Sequence, residues 1–157
     1  MADTYSKIYL HVIFAVKGRQ NLISIKWEDE LFSYITGIIK NKGQKLIRIN
    51  GVADHVHLLV GIKPDLALSD LIRDIKSNSS RFINEKEWIK GKFEWQQGFG
   101  AFSLGHSQLT SAINYIDNQK EHHRKSTFRK EYEKFLKMYE VEYKPQYLFD
   151  DRNNLEL

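Results

Sequence analysis

Apolar side chains recur at every second position from Ile8 to Val16 (Ile8, Leu10, Val12, Phe14, Val16), the period of a β-strand. From Trp27 to Asn41 the pattern changes: Leu31, Phe32, Ile35, Ile38 and Ile39 fall at helical spacing, and Lys42-Gly43 supplies the stop. Two further strands are predicted over 46–50 and 55–62, joined by a turn through residues 51–54 and closed off by Pro64-Asp65. Leu68, Leu71, Ile72, Ile75, Ser79 and Phe82 mark a second helix, and Phe93 to Phe102 reads as a fourth strand with aromatic residues on both faces. Ser107 is placed to cap a helix through Ala112, Ile113, Tyr115, Ile116 and Gln119. A last amphipathic helix carries Phe128, Tyr132, Phe135, Leu136 and Tyr139. The order β-α-β-β-α-β predicts an α+β fold, a ferredoxin-like split β-α-β antiparallel sheet with an added C-terminal tyrosine helix. Its first and third strands would be the central pair. One domain over 1–143 is expected, with an irregular tail over 144–157.

Composition narrows the class. At 157 residues, with 41% hydrophobic and 28% charged side chains, the chain has the proportions of a globular protein. No apolar run approaches the roughly 18 residues of a membrane span, and the amino terminus lacks the basic-then-apolar pattern of a secretory leader. No membrane partner is therefore expected, and a cytoplasmic location is. The absence of cysteine excludes disulfides and thiolate metal sites. The net charge of +4 is unevenly placed: residues 120–130 hold Lys120, Arg124, Lys125, Arg129 and Lys130 against Glu121 alone. A basic segment following Tyr115 directly suits a polyanion such as nucleic acid, and equally describes a solvated helix end.

The chemistry is carried by two spacings. On a strand, His55 and His57 project to the same face and offer two imidazoles from one rigid element, half of a metal site. On a helix, Tyr115 and Gln119 stack at i,i+4. Neutral His, His and Gln hold a divalent ion without cancelling its charge, leaving positions open for a phosphate, and a tyrosine hydroxyl beside them can serve as a nucleophile. Taken singly, each residue also has a structural explanation. His11 shares parity with Ile13 and Ala15 on the strand neighbouring the histidine strand, so contact with the site and ordinary packing both stay open. His122, three residues after Gln119, reads as an exposed helix-end histidine or a further ligand; His123 has the weaker angular claim, and His106 belongs to a loop. Asp54 precedes His55, and strand alternation would point it away. Trp95, Phe99 and Phe102 are expected in the core rather than stacked on bases.

Four segments taken in order carry a resemblance: Tyr9-Leu10-His11-Val12-Ile13-Phe14-Ala15-Val16-Lys17-Gly18-Arg19, Asp54-His55-Val56-His57-Leu58-Leu59-Val60, Phe93 to Ser103, and Tyr115-Ile116-Asp117-Asn118-Gln119 with Glu121-His122-His123-Arg124. Over roughly residues 5 to 140 the chain resembles the single-tyrosine HUH transposases of small insertion sequences, the IS200-like family. The resemblance implies Tyr115 as catalytic nucleophile, His55, His57 and Gln119 as ligands of Mg2+ or Mn2+, and a covalent 5′-phosphotyrosine on DNA. It implies single-stranded or hairpin DNA as partner, and a homodimer whose active sites can be shared between subunits through a hinge at Gly105. Lys17, Arg19, Arg73, Lys76, Arg81, His122, Arg124 and Lys125 are the candidate DNA contacts. A catalytically silent hairpin-binding protein and a related HUH nickase are the alternatives.

Overall fold

Four strands, β1 (Ile8–Ala15), β2 (Lys45–Val52), β3 (His55–Ile62) and β4 (Gly100–Leu104), form one antiparallel sheet in the order β2-β3-β1-β4 in the computed structural model, which describes residues 3–148. This is the expected split β-α-β arrangement, with β1 and β3 central. The helices are α1 (Glu28–Asn41), α2 (Leu68–Lys86), α3 (Leu109–Asp117), α4 (Gln119–His122) and α5 (Phe128–Met138).

Both faces of the sheet are covered. On one face Val12 and Phe14 of β1 and Val56, Leu58 and Val60 of β3 pack with Leu31, Ile35 and Ile39 of α1 and Leu71, Ile72 and Ile75 of α2. Each such aliphatic side chain contributes about 1.5–3 kcal/mol on burial. On the other face Ile13, Ala15 and Phe102 meet Phe128 and Leu136 of α5. Register fixes which polar groups join that second layer. Ile13 lies opposite His57, Ala15 opposite His55, and His11 opposite both Leu59 and Phe102. Directly paired residues share a face, so His11, His55 and His57 all project beneath the C-terminal helices.

Gly100 permits that close cover. A Cβ there would stand 2.8 Å from the Tyr132 ring, so any larger residue requires that ring of α5 to shift off β4. The far end of α3 is tied to the β2 edge: Asn50 Nδ2 donates to the Ile116 carbonyl at 2.8 Å, and Arg48 pairs with Asp117 at 3.1 Å.

Three local expectations are corrected. The strand expected over Phe93–Phe102 begins only at Gly100, because the preceding segment is bound to α2 instead. Asn84 brackets Phe93 with hydrogen bonds of 2.7 and 3.1 Å, Trp95 Nε1 donates to Ser79 Oγ at 2.9 Å, and Gly98 turns the chain at φ +84. A bridge from Val16 to Trp95, with the Gln96 N–H donating to the Ala15 carbonyl at 2.8 Å and the Lys17 N–H to that of Glu94 at 3.0 Å, joins that segment to the end of β1. Ser107 does not cap the tyrosine helix; it sits inside a 3-10 turn (His106–Gln108), and Gln108 Oε1 accepts from the Gly105 N–H at 2.7 Å. The tyrosine helix also breaks at Asn118 into α3 and α4. Beyond residue 143, Pro145–Tyr147 forms a 3-10 turn; residues 149–157 of the expected tail lie outside the described residues.

Candidate active site

His55 and His57 start β3, pointing side by side into the layer under α5, and both are fully buried. Facing them from α5 is Glu131, with only 1% of its side chain exposed. Its Oε1 lies 3.1 Å from His55 Nε2, 3.0 Å from His57 Nε2 and 3.1 Å from His123 Nε2. Its Oε2 accepts the Tyr115 hydroxyl and, at 3.1 Å, an N–H of the Gln119 amide. One carboxylate therefore joins the histidine pair to the tyrosine pair.

Tyr115 lies in the last turn of α3 and Gln119 begins α4, with the Asn118 N–H donating to the Asn114 carbonyl before the break and the His122 N–H to the Asn118 carbonyl after it. Tyr115 and Gln119 still meet at one atom, Glu131 Oε2, and the Tyr115 ring lies 5.9 Å from the His57 ring. All four expected residues, His55, His57, Tyr115 and Gln119, come together within one chain.

A supporting layer holds each imidazole from behind. His11 Nε2 is 2.7 Å from His57 Nδ1, His55 Nδ1–H donates to Asp54 Oδ1 at 2.7 Å, and His123 Nδ1–H donates to the Ser126 carbonyl at 2.9 Å. Asp54 succeeds because it lies in the turn before β3, where the alternation that would aim it away has not begun. His11 contacts the cluster through His57. His122 and His123 exchange the expected ranking: His122 stands 3.9 Å from Glu131 with 39% of its side chain exposed, whereas His123 points inward.

Electrostatics follow from the burial. Burial would raise the Glu131 carboxyl, but hydrogen bonds from His123, His55 and His57 outweigh it and hold the group ionised, well below the usual carboxylate range. For His55, burial works against charge, yet hydrogen bonds to Asp54 and Glu131 lift its pKa above the ordinary histidine value. Burial, reinforced by the charge of His57, lowers His11 to about 3, and burial lowers His57 to about 4. Burial, with Glu131 adjacent, pushes the Tyr115 hydroxyl upward.

Glu131 is the residue that sequence reasoning missed. The signal was present: Phe128, Glu131, Tyr132, Phe135 and Leu136 share one helical stripe, and a carboxylate in the middle of an apolar stripe needs a cationic or donor-rich partner.

The candidate DNA contacts are scattered. Arg124 and Lys125 are exposed at the rim of a depression of about 670 Å³ lined also by Lys130, His123 and Asp54, beside the site. Lys17 pairs with Glu94 at 3.1 Å, Arg73 with Asp70 at 3.2 Å, and Arg81 with Asn78 at 2.6 Å. Arg19 is half-buried in a turn after β1. Lys76 is turned onto the carbonyls of Gln96 and Gly98, and partial burial lowers its pKa to about 8.

Comparison with known proteins identifies the family. Residues 4–119 match the family described as "Transposase IS200 like". The chain is 25% identical over 114 residues to the ISDra2 transposase TnpA of Deinococcus radiodurans, covering 69% of this chain and 81% of that one. It is 24% identical over 126 residues to the transposase for insertion sequence element IS200 of Salmonella typhimurium, covering 77% and 82%. A crystal structure from Deinococcus radiodurans, assigned as a transposase, superposes with a TM-score of 0.61 at 23% identity over 76% of this chain and 95% of that one. A REP-associated tyrosine transposase bound to a REP hairpin superposes at 0.60, with 15% identity over 78% and 73%. No helix among the described residues is long and apolar enough to cross a membrane.

Proposed function

The chain belongs to the IS200-like transposase family, and on that footing we propose that it cuts and rejoins single-stranded DNA at insertion-element ends through a covalent 5′-phosphotyrosine on Tyr115. The observation that carries this reading is the convergence of the Tyr115 hydroxyl, Gln119, His55 and His57 on one buried carboxylate.

The residues fit a divalent ion. Gln119 Oε1 is buried with no hydrogen-bond partner, as an amide oxygen reserved for a cation would be. The Nε2 atoms of His55 and His57 face inward while their Nδ1 atoms are held from behind, the usual orientation of ligand histidines. His55, His57 and Gln119 would hold Mg2+ or Mn2+, which when bound supplies positive charge at the non-bridging oxygens of a phosphodiester. The chain's own groups do the rest. Tyr115 Oη forms a bond to phosphorus as the bond from phosphorus to the 3′-oxygen breaks. Glu131 Oε2 accepts the hydrogen bond of the Tyr115 hydroxyl and aims it; the phenolic proton is released to water as the departing 3′-oxygen takes one up from water. Attack of a 3′-hydroxyl on the phosphotyrosine reverses these bond changes, so no nucleotide cofactor is required.

The basic depression holding Arg124 and Lys125 supports an entry for the strand beside the site, with Lys17, Arg19, Arg73, Arg81 and His122 as outlying contacts. That a structural relative was solved on a REP hairpin favours hairpin DNA as the partner here. A homodimer would bring two such sites to two DNA ends. The test is a labelled hairpin-bearing single strand incubated with Mn2+ and resolved under denaturing conditions. Wild type forms a covalent adduct and Tyr115→Phe forms none while still binding the strand; an adduct in Tyr115→Phe overturns the nucleophile assignment. Binding without metal-dependent cleavage by wild type would instead identify a silent hairpin-binding protein.

A further inference from the structure

The family match ends at Gln119, yet two of the innermost polar groups come later in the chain. One ligand atom from each of His55, His57, His123 and Glu131 gathers so that all four lie within 4.8 Å of one another. Three features single this cluster out as more than a hydrogen-bonded knot. First, one carboxylate oxygen meets three ring nitrogens at 3.0–3.1 Å, more than its lone pairs can serve well. That separation is about the edge between neighbouring ligands around one divalent ion with bonds of roughly 2.0–2.1 Å. Second, every ring is braced at its far nitrogen, by Asp54, His11 and the Ser126 carbonyl respectively. Bracing of that kind fixes Nε2 as the inward-facing nitrogen. Third, the adjoining Gln119 Oε1 is buried and unpartnered. A carboxylate almost wholly out of water amid Phe128 and Phe135 carries a desolvation cost that a cation offsets.

We propose that Glu131 and His123 are metal ligands in addition to His55, His57 and Gln119, so that the ion fastens the C-terminal helix α5 onto the sheet. The inference rests on reading the site as metal-dependent. It also sets the preference of the site. Three imidazole nitrogens with a carboxylate and an amide oxygen favour Mn2+ over Mg2+, which is a poor match for nitrogen-rich ligand sets. Glu131 would then serve with both oxygens, Oε1 toward the ion and Oε2 toward the Tyr115 hydroxyl.

The experiment measures Mn2+ and Mg2+ binding to the full chain by titration calorimetry, and thermal unfolding with and without Mn2+, for wild type, Glu131→Gln and His123→Ala. Wild type binds one Mn2+ at least about tenfold more tightly than Mg2+, and Mn2+ raises its unfolding temperature. Each substitution weakens Mn2+ binding by about 10–100-fold, and backbone amides of residues 128–138 lose their Mn2+-induced protection from hydrogen exchange. Mn2+ affinity within twofold of wild type in both variants overturns the inference and leaves the family site of His55, His57 and Gln119 standing. If Glu131→Gln does not fold, His123→Ala and the wild-type preference decide, and equal affinity for the two ions counts against the proposal. A wild type that binds neither ion overturns both readings.

Discussion

His11→Phe tests whether the supporting layer shapes the site. The His11 ring is 3% exposed, packs edge-on against Phe135 at 5.0 Å and lies 4.9 Å from the His57 ring. Phenylalanine keeps a ring in that slot but removes the nitrogen 2.7 Å from His57 Nδ1. A neutral imidazole has one donor and one acceptor nitrogen, so His11 can satisfy His57 whether His57 carries its proton on Nε2 or on Nδ1. Phenylalanine can satisfy neither. A buried polar nitrogen left alone costs about 1–3 kcal/mol, which for a chain of this size lowers the unfolding temperature by roughly 2–4 °C per kcal/mol. With its ring angle no longer held by that hydrogen bond, His57 should bind Mn2+ about 10–100-fold more weakly, or about 1.4–2.7 kcal/mol. Calorimetric titration with Mn2+, alongside thermal unfolding of the metal-free protein, separates the two effects. Lower stability with unchanged Mn2+ affinity would refute the role of His11 as a positioning residue and reduce it to packing.

Lys76→Met should act on the fold rather than on DNA. It removes the ammonium that joins α2 to the Gln96 and Gly98 carbonyls and should lower stability by about 1–3 kcal/mol in denaturant titration; a selective loss of DNA affinity at unchanged stability would contradict this. Replacing Arg124 and Lys125 together by glutamine should weaken binding of single strands irrespective of sequence. It should also flatten the dependence of log affinity on log salt by about 0.7 per lost phosphate contact, and an unchanged salt slope would remove these residues from the interface.

The order of elements was legible because it is written locally. Alternation in residues 8–16 and 55–62 and helical spacing in 27–41 and 68–82 depend on neighbours within a turn or a strand, and the structure keeps all four. The pairs His55/His57 and Tyr115/Gln119 were readable for the same reason, since two-residue and four-residue spacings fix a shared face before any tertiary contact forms. The aromatic run from Phe93 showed the limit. It has the composition of a strand, but Asn84, Ser79 and Lys76 on α2 capture its backbone and side chains.

What completes the site was decided only by the folded chain. Glu131 reaches His55 across 76 residues and His57 across 74, and His11 reaches His57 across 46. No local period connects such positions. They meet because β1 and β3 pair in one register and because α5 lies over the face on which that register places all three histidines. The sequence by itself determined which side chains share a strand or a helix face; tertiary packing decided which faces meet, and so which carboxylate stands among the histidines.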